Sequence, residues 1–146
     1  MQAMHDLQIR CFAPTDTDAV IGLWNDCGLT RPWNDPHKDI ARKLSVSPEL
    51  FLVGTTGAGQ LIASVMVGYD GHRGWINYLA VHPRCQRQGH ARRLMERAEQ
   101  LLTERGCPKL NLQVREGNQA VIAFYESLGY SHDKTISLGK RLIADI

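Results

Sequence analysis

The stretch Val81-His82-Pro83-Arg84-Cys85-Gln86-Arg87-Gln88-Gly89-His90-Ala91-Arg92-Arg93-Leu94 decides how the chain is read, because within it a strand ends and a helix begins. Upstream, Gly74-Trp75-Ile76-Asn77-Tyr78-Leu79-Ala80-Val81 has the character of a strand, which Pro83 closes. Downstream, Ala91, Leu94, Met95, Ala98, Leu101 and Leu102 recur at helical spacing until Gly106 and Pro108 stop the pattern. A helix start exposes N–H groups that lack intrahelical partners and carries a partial positive charge. Acidic residues ordinarily occupy such a first turn. Here there are none, and Arg87 and Arg92 flank the small residues Gly89 and Ala91. Small residues let an anion approach the backbone, and arginines add charge-assisted donors, so a pyrophosphate suits this turn. The plain alternative is a solvated basic helix face, since Arg84, Arg87, Arg92, Arg93 and Arg97 fall in one short stretch.

Two familiar phosphate loops are excluded. GxGxxG is absent and the preceding strands form a meander, so the dinucleotide fingerprint does not apply. Gly-Lys-Ser/Thr is absent as well, which removes the triphosphate loop.

Outward from this segment, Leu7-Gln8-Ile9-Arg10-Cys11 alternates as a first strand ended by Pro14. Thr15 with Asp18 reads as a capping box for a helix to about Cys27, and a second short helix is expected over 36–44. Residues 51–54 and 61–67 form a hairpin across Gly57-Ala58-Gly59, and 74–81 completes a three-strand meander. Leu110, Leu112 and Val114 alternate as a further strand, 119–128 is a helix ended by Gly129, and Ile136, Leu138 and Leu142 mark one or two last strands. This order predicts an α/β fold, a mixed sheet with helices on its faces.

Bulk properties narrow the class. With 146 residues, the chain is expected to form one domain over 1–146. At 43% hydrophobic and 22% charged it has the composition of a folded globule. A net charge of only +2 argues against nucleic-acid binding. No run approaches the roughly 20 apolar residues of a membrane span, and Met1 to Arg10 lacks the apolar core of a signal peptide, so a cytoplasmic location is expected. Cys11, Cys27, Cys85 and Cys107 show no paired spacing, which points to free thiols and to no metal site.

The pattern Gln86-x-x-Gly89-x-Ala91 resembles the (Q/R)xxGx(G/A) coenzyme A signature of the GNAT family of N-acetyltransferases. Asn118-Gln119-Ala120-Val121-Ile122-Ala123-Phe124-Tyr125-Glu126-Ser127-Leu128-Gly129-Tyr130 resembles the second element of that family, in which an Asn opens a helix carrying Phe-Tyr and ending in Gly-aromatic. Each piece also has an ordinary structural reading, with Asn118 as a cap, Phe124 as core and Gly129 as a helix stop. Their joint order and spacing carry the resemblance.

The resemblance implies a GNAT-type acyl-CoA N-acyltransferase fold with a splay between strand 77–81 and strand 110–114. Acetyl-CoA would be the acetyl donor. Its pantetheine arm would lie in the splay against the backbone of Leu79, Ala80 and Val81, and its pyrophosphate against Gln86, Arg87, Gln88, Gly89, His90, Ala91 and Arg92. Asn118 and Tyr125 would meet the arm from the other side. The implied activity is direct transfer of acetyl to a primary amine of a small molecule, protein or peptide, with Tyr125 protonating the departing thiolate. A backbone N–H at Leu79 or Val81 would stabilise the oxyanion.

An alkylamine with pKa about 10.4 is almost entirely protonated at pH 7, so its proton must be removed. Some relatives carry a Glu where this chain has Gln113, which cannot act as a base. Glu116, Asp70, His72, and a water chain held by Asn77 and Tyr78 are the candidates. The acceptor would enter beside the loop between the first two helices, with Arg31, Trp33, Asn77 and Tyr78 as candidate contacts and Trp24 as an anchor. Competing readings are a coenzyme A-binding module without catalysis and, more remotely, a nucleic-acid binder. Either a monomer or a homodimer fits, the C-terminal strand being able to pair across two copies.

Overall fold

The computed structural model of the chain describes residues 6–145. Alternation at its start forms β1 (Gln8–Cys11), which pairs antiparallel with β2 (Phe51–Thr55). β2, β3 (Leu61–Tyr69) and β4 (Gly74–Val81) form the expected antiparallel meander. β5 (Leu110–Leu112) joins β4 in parallel, so the sheet order is β1-β2-β3-β4-β5.

Helices α1 (Thr17–Asp26) and α2 (Pro36–Leu44) cover one face, and α3 (His90–Glu104) and α4 (Gln119–Ser127) the other. Strand alternation divides the core accordingly. Phe51, Val53, Met66 and Ala80 pack with Val20, Leu23, Trp24 and Ile40 on one side. Leu52, Val65, Val67 and Ile76 pack with Leu94, Met95, Ala98 and Leu102 on the other. Because helices cover both faces, every residue from Ile62 to Val67 is buried, which explains the unbroken apolar run interrupted only by Ser64.

Two expectations are corrected. The Thr15/Asp18 capping box does not form: Pro14 sets a short 3-10 turn, and Asp16 accepts the Ala13 N–H at 2.8 Å and pairs with Arg10 at 2.8 Å, so α1 starts only at Thr17. The expected last strands are also missing, since no strand is assigned to 131–145. Residues 131–137 meet the β5 segment through side chains, Lys109 to Asp133 at 2.9 Å, Asn111 to Asp133, and Gln113 to Ser137. Farther on, the Asp145 carboxylate takes Arg42 at 2.6 Å and the Asp35 N–H at 2.9 Å, drawing the chain to α2. These contacts join side chains and no backbone ladder forms, so the apolar alternation there makes no strand.

Candidate active site

The site lies where β4 and β5 part. Their ladder pairs Gly74 with Leu110, Trp75 with Asn111 and Ile76 with Leu112, then stops. Beyond it β4 carries a bulge: Ser64 faces Ala80 and Met66 faces Asn77, leaving Tyr78 and Leu79 opposite Val65 alone. Tyr78 is left-handed there, with φ 53°.

Side chains from two other elements hold this bulge. Trp24 of α1 donates its indole N–H to Ser64 Oγ at 2.9 Å, and Ser64 donates to the Tyr78 carbonyl at 2.9 Å. Trp24 and Ser64 are both fully buried. The Tyr78 hydroxyl donates to Asp39 Oδ2 of α2 at 2.7 Å. Burial, reinforced by that carboxylate, drives the Tyr78 phenol far above its ordinary range, so it stays protonated.

The loop after β4 folds back on itself. The Val81 carbonyl accepts from the Gln86 side chain at 3.1 Å and from the Cys27 thiol at 3.3 Å. Gln86 is thus directed into its own loop, and the Val81 carbonyl already has two donors. Arg87 and Gly89 are left-handed, with φ 64° and 85°, and α3 then opens without an acidic residue in its first turn. A Cβ placed on Gly89 meets nothing within 4 Å, so the approach is open. Arg87, Gln88 and Arg92 are exposed, Ala91 is half-buried and His90 is buried.

Asn118 caps α4, its side chain accepting from the Val121 N–H at 3.3 Å. About two helical turns further, Tyr125 is buried between Phe124 and Tyr130, both edge-on at 5.1 and 5.7 Å. Burial pushes its phenol up to about 12, which keeps it a proton donor at neutral pH.

The residues expected to meet an acceptor are spread out. Arg31 donates to the Gly28 and Thr30 carbonyls at 2.7 and 2.9 Å, bracing its own loop. Trp33 is half-exposed, with the Arg115 guanidinium 5.9 Å from its ring centroid. Asn77 is exposed in the β4 ladder. Of the base candidates, Asp70 closes its turn by accepting the His72 and Arg73 N–H groups at 2.8 Å, and Glu116 is exposed. Sequence reasoning missed Ser64, Asp39 and Arg115. Ser64 alone left a local signal, as the one polar residue in an apolar strand. Among the described residues no cluster of His, Cys, Asp and Glu is placed to hold a metal ion, and no helix is long and apolar enough to cross a membrane.

Comparison with known proteins accords with this geometry. The model of the acetyltransferase (GNAT) family matches residues 1–130. An acetyltransferase of Yersinia enterocolitica is 55% identical over 139 residues, covering 95% of this chain and 98% of the relative. The structure of Ard1 from Thermoplasma volcanium superposes with TM-score 0.74 at 27% identity, covering 86% of this chain and 82% of that one. The ribosomal-protein-S18-alanine N-acetyltransferase of Escherichia coli gives TM-score 0.70 at 28% identity, covering 85% and 77%. The chain belongs to the GNAT family. It is an acetyltransferase, an enzyme of the transferase class.

Proposed function

We propose that the enzyme takes acetyl from acetyl-CoA and passes it to a primary amine of a small molecule, protein or peptide by direct attack. The observation that carries this reading is the left-handed Arg87–Gly89 turn opening α3 beside the end of the β4–β5 ladder. Backbone N–H groups at that helix start suit a diphosphate, and Arg87 and Arg92 add charge. The residues present fit the donor: the first turn has no carboxylate to repel it, and Gly89 leaves the approach clear.

The pantetheine arm is assigned to the splay, along Leu79, Ala80 and Val81. The Leu79 N–H on the bulge stabilises the oxyanion as the amine attacks, and Tyr125 gives its proton to the departing thiolate. Because Gln86 and Asn118 are engaged with the backbone, their roles in this reading are to shape the loop and to start α4. Trp33, Tyr78 and Asn77 line the acceptor side, and Arg31 supports their loop. A protein amine as acceptor is supported by the Escherichia coli enzyme, whose name gives a ribosomal-protein alanine as its target. The four free cysteines suit a reducing cytoplasm.

Titration calorimetry with coenzyme A, followed by thiol release from acetyl-CoA against a panel of amines and peptides, tests the reading. Binding with release by at least one amine is expected; absence of binding heat for both acetyl-CoA and coenzyme A overturns it.

A further inference from the structure

Within the acetyl-transfer reading above, on which this assignment rests, we propose that Asp39 takes the proton of the attacking amine through the Tyr78 hydroxyl, with Arg42 and Asp145 as positioning residues behind it. Tyr78 presents two groups at the bulge. Its carbonyl turns to Ser64 Oγ of β3 at 2.9 Å, and in a trans peptide the next N–H points the opposite way. The Leu79 N–H therefore faces away from β3, to the side where β5 parts from the strand. The Tyr78 ring lies flat on Trp24, and its hydroxyl donates to Asp39 Oδ2 at 2.7 Å, in the first turn of α2. That turn follows directly on the loop 28–35, where an acceptor is expected to enter. One residue thus ties the oxyanion donor to a carboxylate on the amine's approach. The alternatives are engaged elsewhere: Asp70 closes its own turn, and Gln113 is an amide bonded to Ser137.

The carboxylate is kept available by its neighbours. Asp39 Oδ1 accepts from Arg42 at 3.2 Å, and Oδ2 is left to Tyr78. A guanidinium that took both oxygens would hold the carboxylate ionised and oppose its protonation. Asp145 prevents this by binding Arg42 through both nitrogens, at 2.6 and 3.3 Å, while also accepting the Asp35 N–H at 2.9 Å. Fully buried among those donors and held down at about 2, Asp145 stays ionised and is no proton acceptor itself. The charged and titratable groups of this network are thus Arg42 on the same helix, Tyr78 from β4, and Asp145 with Arg141 from the chain's end. The Asp39 side chain is 22% exposed, so a proton it takes can pass on to water.

The ammonium gives one proton to Tyr78 Oη while Tyr78 gives its own to Asp39 Oδ2. Because burial keeps the phenol from ionising, the two transfers occur together and no tyrosinate forms. The freed electron pair of the amine forms the C–N bond, the C–S bond breaks, and sulfur leaves with the proton of Tyr125. The second N–H proton of the adduct restores Tyr125 through water.

The test is thiol release from acetyl-CoA with the amine of the panel that reacts fastest. Asp39→Asn still accepts the Tyr78 hydrogen bond, and Tyr78→Phe keeps the ring on Trp24. Each should lower kcat by roughly 10²-fold at pH 7, with coenzyme A affinity and the circular dichroism spectrum unchanged. The double variant should fall no further, because the two residues act as a unit. Raising the pH to about 10, where an alkylamine of pKa about 10.4 is partly neutral before it binds, should shrink the deficit. Full kcat in either variant overturns the proposal. A deficit that stays constant between these pH values, or losses that multiply in the double variant, overturn it too by confining the pair to structure. Should Asp39→Asn fail to fold, Tyr78→Phe decides by the same pH comparison. A wild-type chain without turnover on any amine removes the acetyl-transfer reading itself, whereas turnover indifferent to these variants removes this assignment alone.

Discussion

The Trp24 ring lies flat against Tyr78, with centroids 3.8 Å apart and planes 12° from parallel, while its indole N–H reaches the carbonyl of the same residue through Ser64. One α1 residue thus grips both ends of the bulged residue. A left-handed non-glycine residue costs roughly 1–2 kcal/mol, and Tyr78 keeps φ 53° because stacking and hydrogen bonding offset that cost. The bulge also turns the next amide, that of Leu79, out of the regular β3 ladder.

Replacing Ser64 by Ala removes the acceptor of a buried indole N–H and is expected to lower stability by roughly 1–3 kcal/mol in urea unfolding. If the Leu79 N–H serves the oxyanion, kcat falls by about tenfold or more while KM for acetyl-CoA changes little. A loss of stability with unchanged kcat would confine Ser64 to a structural role.

For Tyr125→Phe, kcat is expected to drop by roughly 10²–10⁴-fold, with coenzyme A affinity retained. Burial raises the Tyr125 phenol to about 12 from its ordinary 10. The proton is therefore retained in the folded protein, and the associated stability is fully present below pH 10 and is lost as pH rises through about 12. Ultraviolet titration of tyrosinate should show this residue ionising late, and any alkaline loss of activity below pH 10 should belong to another group.

Gly89→Ala places a side chain at φ 85° in open space, so its cost is in the backbone, roughly 1–2 kcal/mol. Distortion of the turn should weaken coenzyme A binding measured by calorimetry, beside a fall in the thermal unfolding temperature of only a few degrees. Equal affinity in the variant would show that the α3 turn does not hold the diphosphate.

Asp145 is held down at about 2, chiefly by its hydrogen bond from Arg42 and then by the Asp35 N–H. Its contribution is in place above the ordinary carboxylate value near 4 and is lost as pH falls through about 2. Residues 139–145 should stay protected from proteolysis at neutral pH, and Asp145→Asn should release them.

Much of this was legible in the residues themselves. Strand alternation and helix periodicity depend on near neighbours, so β1 to β4 and all four helices fall close to where the pattern puts them. The turn before α3 was legible for the same reason, because a helix start without acid and with Gly89 states its electrostatics locally. What stayed hidden depends on which elements meet. Ser64 bridges Trp24, forty residues earlier, to Tyr78, fourteen later, and no local pattern links the three. Gln86 belongs to a signature, yet its amide turns to Val81 because that carbonyl lies within reach once the loop has folded. Ile136, Leu138 and Leu142 have the alternation of a strand, but strand formation needs a second backbone within hydrogen-bonding reach, and only the tertiary arrangement decides whether one is supplied.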